Sequence, residues 1–210
     1  MNNRKIISII SIITALALAC AGAYAYYNAH TAPKVNEFNL VGGERDLVKG
    51  EIVEPGWDAD NAVDLVPTQT VAKDPQIRSG VDYEAYAFMK VEMPQAMAST
   101  ELAEDYSYQD AFTYEVNDGW VLLGEKPSNE SGSDHVYLYM YGEDEDTPTL
   151  LAARGLTTAL FDEITVPAFV RCMATSNSLD VEGFTEQSTG VSLATAIADA
   201  KTWARIPATP

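Results

Sequence analysis

Between Tyr83 and Met93 the chain alternates. Ala85, Ala87, Met89, Val91 and Met93 fall on one side of an extended backbone, and Tyr86, Phe88, Lys90 and Glu92 fall on the other. A period of two sorts side chains onto the opposite faces of a strand, whereas a helix would scatter them around its axis. The pattern returns after His135, with His135, Tyr137, Tyr139 and Tyr141 facing one way and Val136, Leu138 and Met140 the other. Strands of this kind need sheet partners and a second layer to cover the apolar face.

The punctuation between strands agrees. Phe112, Tyr114 and Val116 run into Asn117-Asp118-Gly119, and Trp120 to Leu123 runs out. Residues that tolerate positive φ between two such runs predict a β-hairpin joining them. Leu160 to Val166 and Ala168 to Ser176 predict a further strand pair, bent at Pro167, which has no N–H for a central ladder. Two segments read as helical: Gln95 to Tyr108 as a partly helical insertion, and Val191 to Ala204 as a helix. In the latter, Ser192 is the cap and Leu193, Ile197, Ala200 and Ala204 share a face. The chain therefore reads as mainly β, an antiparallel β-sandwich with a helical insertion and a short C-terminal helix.

Ahead of these strands lies a different kind of segment. Arg4 and Lys5 precede twenty uncharged residues, Ile6 to Ala25, which close on the small-x-small triplet Ala23-Tyr24-Ala25. A basic start, an apolar run and small residues at the end are what a signal peptidase reads, with cleavage expected between Ala25 and Tyr26. About 20 apolar residues also suffice to span a bilayer, so an uncleaved membrane anchor is the alternative. The expected layout is an N-terminal signal helix in residues 1–25, a mature N-terminal segment in 26–40, the sandwich domain in 41–205 and a tail in 206–210. Either way the protein is placed in the secreted fraction or on the extracellular cell surface, touching membrane only through its N-terminal segment.

Charge narrows the partners. The formal charge is −18, and losing residues 1–25 removes two basic residues and no acid. Such a surface repels nucleic acid and anionic lipid, so no nucleic-acid partner is expected. Only Cys20, inside the apolar run, and Cys172 occur, so there is no disulfide framework. Cys172, with Val170 and Ala174 at strand spacing, reads as a small core side chain. A lipid-attachment box ending at Cys20 would need a large aliphatic residue where Ala17 stands.

Catalytic chemistry finds little to work with. The two histidines, His30 and His135, form no His-Glu-x-x-His pair. Asp58 to Asp64 imitates the start of a calcium loop but has Ala62 at the fifth position, Val63 where glycine must turn and Gln69 at the twelfth. Weak calcium binding by surface carboxylates is the most it predicts. Glu143-Asp144-Glu145-Asp146 reads as a solvated turn, because adjacent carboxylates repel one another. Trp57, Trp120 and Trp203, with Tyr137, Tyr139 and Tyr141, read as core or cross-strand pairs rather than a ligand platform. No catalytic, cofactor or metal residue is assigned.

Several blocks together carry a resemblance. The signal ending Ala23-Tyr24-Ala25-Tyr26-Tyr27 is followed by Asn36-Glu37-Phe38-Asn39 and then by Val48 to Pro55. Asp64 to Pro75 leads into the strand at Ala85 to Glu92, and Gly119-Trp120, Leu160 to Val166 and Asp180 to Phe184 follow in order. This series resembles the TasA/camelysin family of bacterial surface proteins. The resemblance implies export through a dedicated signal peptidase, a jelly-roll sandwich, and self-association into fibres of a biofilm matrix. It further implies assembly by donor-strand addition, for which the matching segment here is Tyr26 to Leu40, with Val35, Phe38 and Leu40 as the residues that enter the neighbour's sheet. The bare residues leave open that this segment is instead the first strand of its own domain. Camelysin-type members are described as metallopeptidases, and this chain departs from that pattern in its scarcity of histidine. The expectation is a non-enzymatic surface or matrix protein; a monomeric binding module or adhesin, and more remotely a metal-dependent peptidase, are the alternatives.

Overall fold

The computed structural model describes residues 28–30, 50–62, 64–98, 107–128, 134–173 and 178–207. In chain order the strands are β1 (Asn28–His30), β2 (Gly50–Val53), β3 (Thr70–Ala72), β4 (Gln76–Ser79), β5 (Ala85–Met93), β6 (Gln95–Ala98) and β7 (Ser107–Asp110). They continue as β8 (Trp120–Lys126), β9 (His135–Asp144), β10 (Thr147–Pro148), β11 (Glu163–Thr165), β12 (Val170–Met173) and β13 (Asp180–Gln187). One α-helix, α1 (Leu193–Ala204), follows them, and a 3-10 turn spans Ala59–Ala62. The fold is mainly β and β-sandwich-like, with antiparallel sheets and a C-terminal helix.

The main sheet runs β1-β13-β5-β9, with β8 on the far side of β9 and the short β10 extending it. Alternation decides its two faces. From β5, Ala87, Met89, Val91 and Met93 enter one core together with Ile52 of β2, Val71 of β3, Ile77 of β4, Ala96 of β6 and Ile164 of β11. The small sheets β2-β4, β3-β11 and β12-β6-β7 thus supply the second layer. On the opposite face Tyr86, Phe88, Val136, Leu138, Met140 and Phe184 pack beneath Ala196, Ala200 and Ala204 of α1. Phe184 lies 5.8 Å from Phe88 and stacks on Trp203 at 5.4 Å. Burying side chains of this size contributes about 1.5–3 kcal/mol each.

Helix α1 starts where expected. Ser192 is its N-cap, its Oγ accepting from the Thr195 N–H at 3.2 Å. It ends with Arg205 in the left-handed region (φ 56°), and the Ile206 N–H returns to the Lys201 carbonyl at 2.9 Å. Ile206, assigned by sequence to the tail, is only 7 % exposed and belongs to the helix-side core. The cap places it there, because the turn that satisfies the last carbonyls carries the next apolar residue back onto the sheet.

Three expectations are corrected. The turn at Asp118-Gly119 is present, with Gly119 at φ 89°, but the strand leaving it is not paired with the run entering it. β8 pairs with β9 instead, Val121 facing Met140 and Leu122 facing Tyr139. The run from Phe112 to Val116 crosses to another part of the chain: Thr113 and Thr165 exchange backbone hydrogen bonds at 2.8 and 2.9 Å, and the Tyr114 ring sits 4.4 Å from that of Phe161. Burial of Tyr114 against the core outweighs the local tendency to fold straight back.

Leu160 to Ser176 likewise does not form one strand pair. β11 pairs with β3 and β12 with β6, so the bend around Pro167 divides them between two sheets. Gln95 to Tyr108 contains strand rather than helix at both described ends, since β6 and β7 pair antiparallel from Gln95 opposite Asp110 to Ala98 opposite Ser107. Alanine, methionine and glutamine favour helices, yet Gln95 is 1 % exposed and its Nε2 donates to Asp110 Oδ1 at 2.7 Å. Tertiary pairing overrides propensity here.

Candidate functional site

The main sheet has two outer strands of different character. At one side β1 adds antiparallel to β13, with Asn28 opposite Glu186, Ala29 opposite Thr185 and His30 opposite Phe184. β1 follows the expected cleavage position closely in sequence. Ala23, Ala25, Tyr26, Val35, Phe38 and Leu40 themselves lie outside the described residues, as does the apolar run at 6–25. At the other side, β8 bears the devices by which edges resist further pairing: a register shift between Leu122 and Gly124, then charged Glu125 and Lys126.

Beneath β1, β13 carries an unusual residue. Glu186 is 2 % exposed on the face covered by α1, and its Oε2 has no hydrogen-bond partner among the described residues. Burial, and then the neighbouring charge and hydrogen bond of Asp199 in α1, push its carboxyl up to about 7. On the same face Lys90 of β5 is held between Glu92 at 2.7 Å and Glu182 at 3.0 Å, with its Nζ 5.3 Å from the centre of the Trp203 ring. Both Lys90 and Glu182 line a cleft of about 480 Å³ beside the end of α1.

A second polar cluster stands on the opposite face. Asp110 of β7 accepts from Gln95 Nε2 at 2.7 Å and from the Tyr137 hydroxyl at 2.5 Å, and it lies 3.1 Å from His135 Nδ1. His135 Nε2 approaches Glu125 Oε2 at 3.3 Å. Deeper in, the Tyr114 and Tyr139 hydroxyls meet at 2.9 Å. Burial raises the ionisation of Tyr114, Tyr137 and Tyr139 above the ordinary tyrosine value. The outer end of this cluster borders a pocket of about 410 Å³ that also includes Tyr108, Pro127 and Phe169. Its hydrogen bonds hold the His135 ring where it lines that pocket beside Asp110 and Gln95.

The remaining sequence candidates have local structural roles. Asp58 accepts from the Asp60 N–H at 3.0 Å and from Asn61 Nδ2 at 3.2 Å, so its carboxylate shapes the 3-10 turn. Asp144 and Asp146 shape the turn between β9 and β10, where hydrogen bonds from Thr147 and then Asp146 hold the Asp144 carboxyl below its usual range. Among the described residues no three His, Cys, Asp or Glu side chains are grouped to hold a metal ion. The Cys172 side chain lies outside the described ones. Trp120 donates to the Thr158 carbonyl at 3.2 Å and packs 5.2 Å from Tyr141, a cross-strand pair as expected.

Comparison with protein-family models, curated proteins and solved structures returns no match. The reading of this chain therefore rests on its own residues. Sequence reasoning missed Asp110, Gln95, Glu186 and Asp199. The acids carry no motif, and what marks them is a set of neighbours that only the fold brings together. A polar residue inside an apolar alternating strand, as Glu186 lies beyond Phe184, is the one signal available in the sequence.

Proposed function

We propose that this chain is a non-enzymatic exported protein of the cell surface or extracellular matrix that self-associates by N-terminal strand addition. The observation that carries the reading is the position of β1: a three-residue outer strand, close after the expected cleavage position, added to the edge of the main sheet. A short strand held at an edge makes few ladder bonds and is a suitable element for exchange with a neighbouring copy. Processing after Ala25 would free the segment from Tyr26 to Leu40 to pair either with its own β13 or with that of the next subunit. A jelly-roll arrangement, signal-peptidase-dependent export and assembly into fibres of the TasA/camelysin kind all belong to this proposal.

Electron microscopy tests it directly. Protein beginning at Tyr26 is expected to form filaments, and protein lacking residues 26–40 is expected not to. If both stay monomeric across salt and pH, the assembly reading fails.

A monomeric surface binding module is the second reading, and the pocket bordered by Gln95, Asp110, His135 and Phe169 favours it. Loss of an adhesion phenotype on Phe169→Ala, with filaments unchanged, would move the function to that pocket. Stoichiometric zinc together with digestion of casein would move the function to the metal-dependent peptidase alternative.

A further inference from the structure

The ends of four strands converge on the pocket beside β7. Gln95 opens β6, Asp110 closes β7, His135 opens β9, and Phe169 immediately precedes β12. The space they border is about 410 Å³, within the range of small-molecule sites, about 300–1,000 Å³.

Its polar side is assembled in advance. Gln95, 1 % exposed, stands opposite Asp110 in the β6–β7 register, and its Nε2 donates to Asp110 Oδ1 at 2.7 Å and to the Met93 carbonyl at 3.3 Å. The Tyr137 hydroxyl donates to Asp110 Oδ2, and His135 Nδ1 lies 3.1 Å from Oδ1. Side chains already held in place lose little freedom when a ligand arrives. Tyr108, two residues before Asp110 on β7, shares its side of the strand and also lines the pocket.

The lining decides the class of ligand. Among the described residues no lysine or arginine borders the pocket, and the chain carries a formal charge of −18, so an anion is repelled and finds no cation to pair with. The one carboxylate, Asp110, is engaged by Gln95, Tyr137 and His135, which leaves a cation little to gain. What remains is hydroxyls beside apolar surface: Thr113 and Ser128 with the rings of Tyr108, Phe169 and Pro127. Thr113 donates to the Thr165 carbonyl at 3.5 Å and keeps its lone pairs for a donor from outside. A neutral sugar ring offers the matching pair of surfaces, hydroxyls around its rim and C–H groups on its faces.

We propose that this pocket binds a neutral sugar residue, with Phe169 and Tyr108 packing on the ring and Thr113, Ser128 and the Gln95–Asp110 pair bonding its hydroxyls. The proposal rests on the surface-protein reading and names the ligand of the pocket that the binding-module form of it invokes. Among the described residues none that lines the pocket belongs to β1 or β13, so strand addition leaves it open. Copies joined in a filament then present it repeatedly along a neutral polysaccharide, and weak single contacts add up to firm attachment.

Saturation-transfer difference NMR tests this on the protein beginning at Tyr26. The signal is read from the sugar, so the measurement works on monomers and filaments alike. The probes are glucose, galactose, mannose and N-acetylglucosamine, with glucuronate as the anionic control. At least one neutral sugar is expected to give a saturable signal and glucuronate none. Phe169→Ala is expected to weaken binding at least about tenfold, the loss of one well-packed aromatic contact. Ser128→Trp, which fills the pocket from the loop after β8, is expected to weaken it by a similar factor and decides the location if Phe169→Ala fails to fold. No signal from any neutral sugar, an equal signal from glucuronate, or binding unchanged in Ser128→Trp overturns the proposal. Loss of adhesion in Phe169→Ala without sugar binding in the wild type would overturn the sugar and leave the binding-module reading standing, with a peptide as the ligand to seek. Sugar binding without filaments under any condition would overturn strand addition and leave the sugar site in place.

Discussion

Lys73 Nζ stands 2.6 Å from Glu54 Oε1, with each side chain 1 % exposed, and 4.5 Å from the centre of the Trp57 ring. The pair ties the residue after β2 to the residue after β3, two strands that belong to different small sheets. Attraction inside a protein barely offsets the cost of desolvating both ions, but one ion left without the other is expensive. Lys73→Met is therefore expected to cost about 3–5 kcal/mol in urea unfolding. Lys73→Met combined with Glu54→Leu is expected to recover most of that loss. Equal losses in the single and double variants would show that the pair acts through shape and not through charge.

Arg205 holds a left-handed backbone conformation (φ 56°) at the end of α1, where glycine carries no steric penalty. The cap itself, made by the returns to Lys201 and Thr202, needs only the backbone. Arg205→Gly should raise thermal and urea stability by about 1 kcal/mol, with α1 unchanged by circular dichroism. A loss of stability would instead assign the Arg205 side chain a bonding role in the cleft beside Lys90.

Alternation made β5 and β9 legible, because period two sorts Met89 from Phe88 and Tyr139 from Leu138 without knowledge of any neighbour. The ends of α1 were legible too, since Ser192 and the apolar face act locally. Partner choice was not. Asp118-Gly119 states that the chain turns, but which strand β8 meets depends on where Tyr114 and Trp120 are buried. In the same way Gln95 looks like a helix former until Asp110 is brought beside it. Asp110 gains its neighbours Gln95, His135 and Tyr137, and Glu186 its burial, from parts of the chain that spacing along the sequence does not bring together. The expected cleavage and donor-strand residues lie outside the described part, so the sequence alone speaks for them.

Tyr114, Tyr137 and Tyr139 give the protein an alkaline limit. Burial is the leading cause that lifts each above the ordinary value of 10, joined at Tyr114 by Tyr139 and at Tyr137 by the hydrogen bond to Asp110. Unfolded, these phenols ionise near 10; folded, they keep their protons. Their contribution to stability is complete below pH 10 and declines above it, by up to roughly tenfold per tyrosine per pH unit in the folding constant. Ultraviolet titration should show these phenols ionising only with unfolding. Tyr137→Phe should remove part of that late signal and cost about 1–3 kcal/mol, since Asp110 loses a donor. Full phenolate absorbance in a still folded protein at pH 11 would contradict the buried network.

The proposed cleavage position and the strand that follows it couple release to assembly. β1 begins at Asn28, so in an uncut chain the strand that adds to β13 is tethered a few residues from the apolar run. Donation of that strand to a second subunit would then require the neighbour's sheet edge to reach the membrane surface. A large residue at the cleavage position does not fit subsites that accept small side chains. Ala25→Trp is expected to leave the protein in the membrane fraction at its uncut mass and to abolish filaments, while secretion of the unaltered chain continues in the same cells. Adding purified protein that begins at Tyr26 should restore filaments without cutting the variant. Filaments built from the uncut form would separate processing from assembly, and the coupling would have to be abandoned.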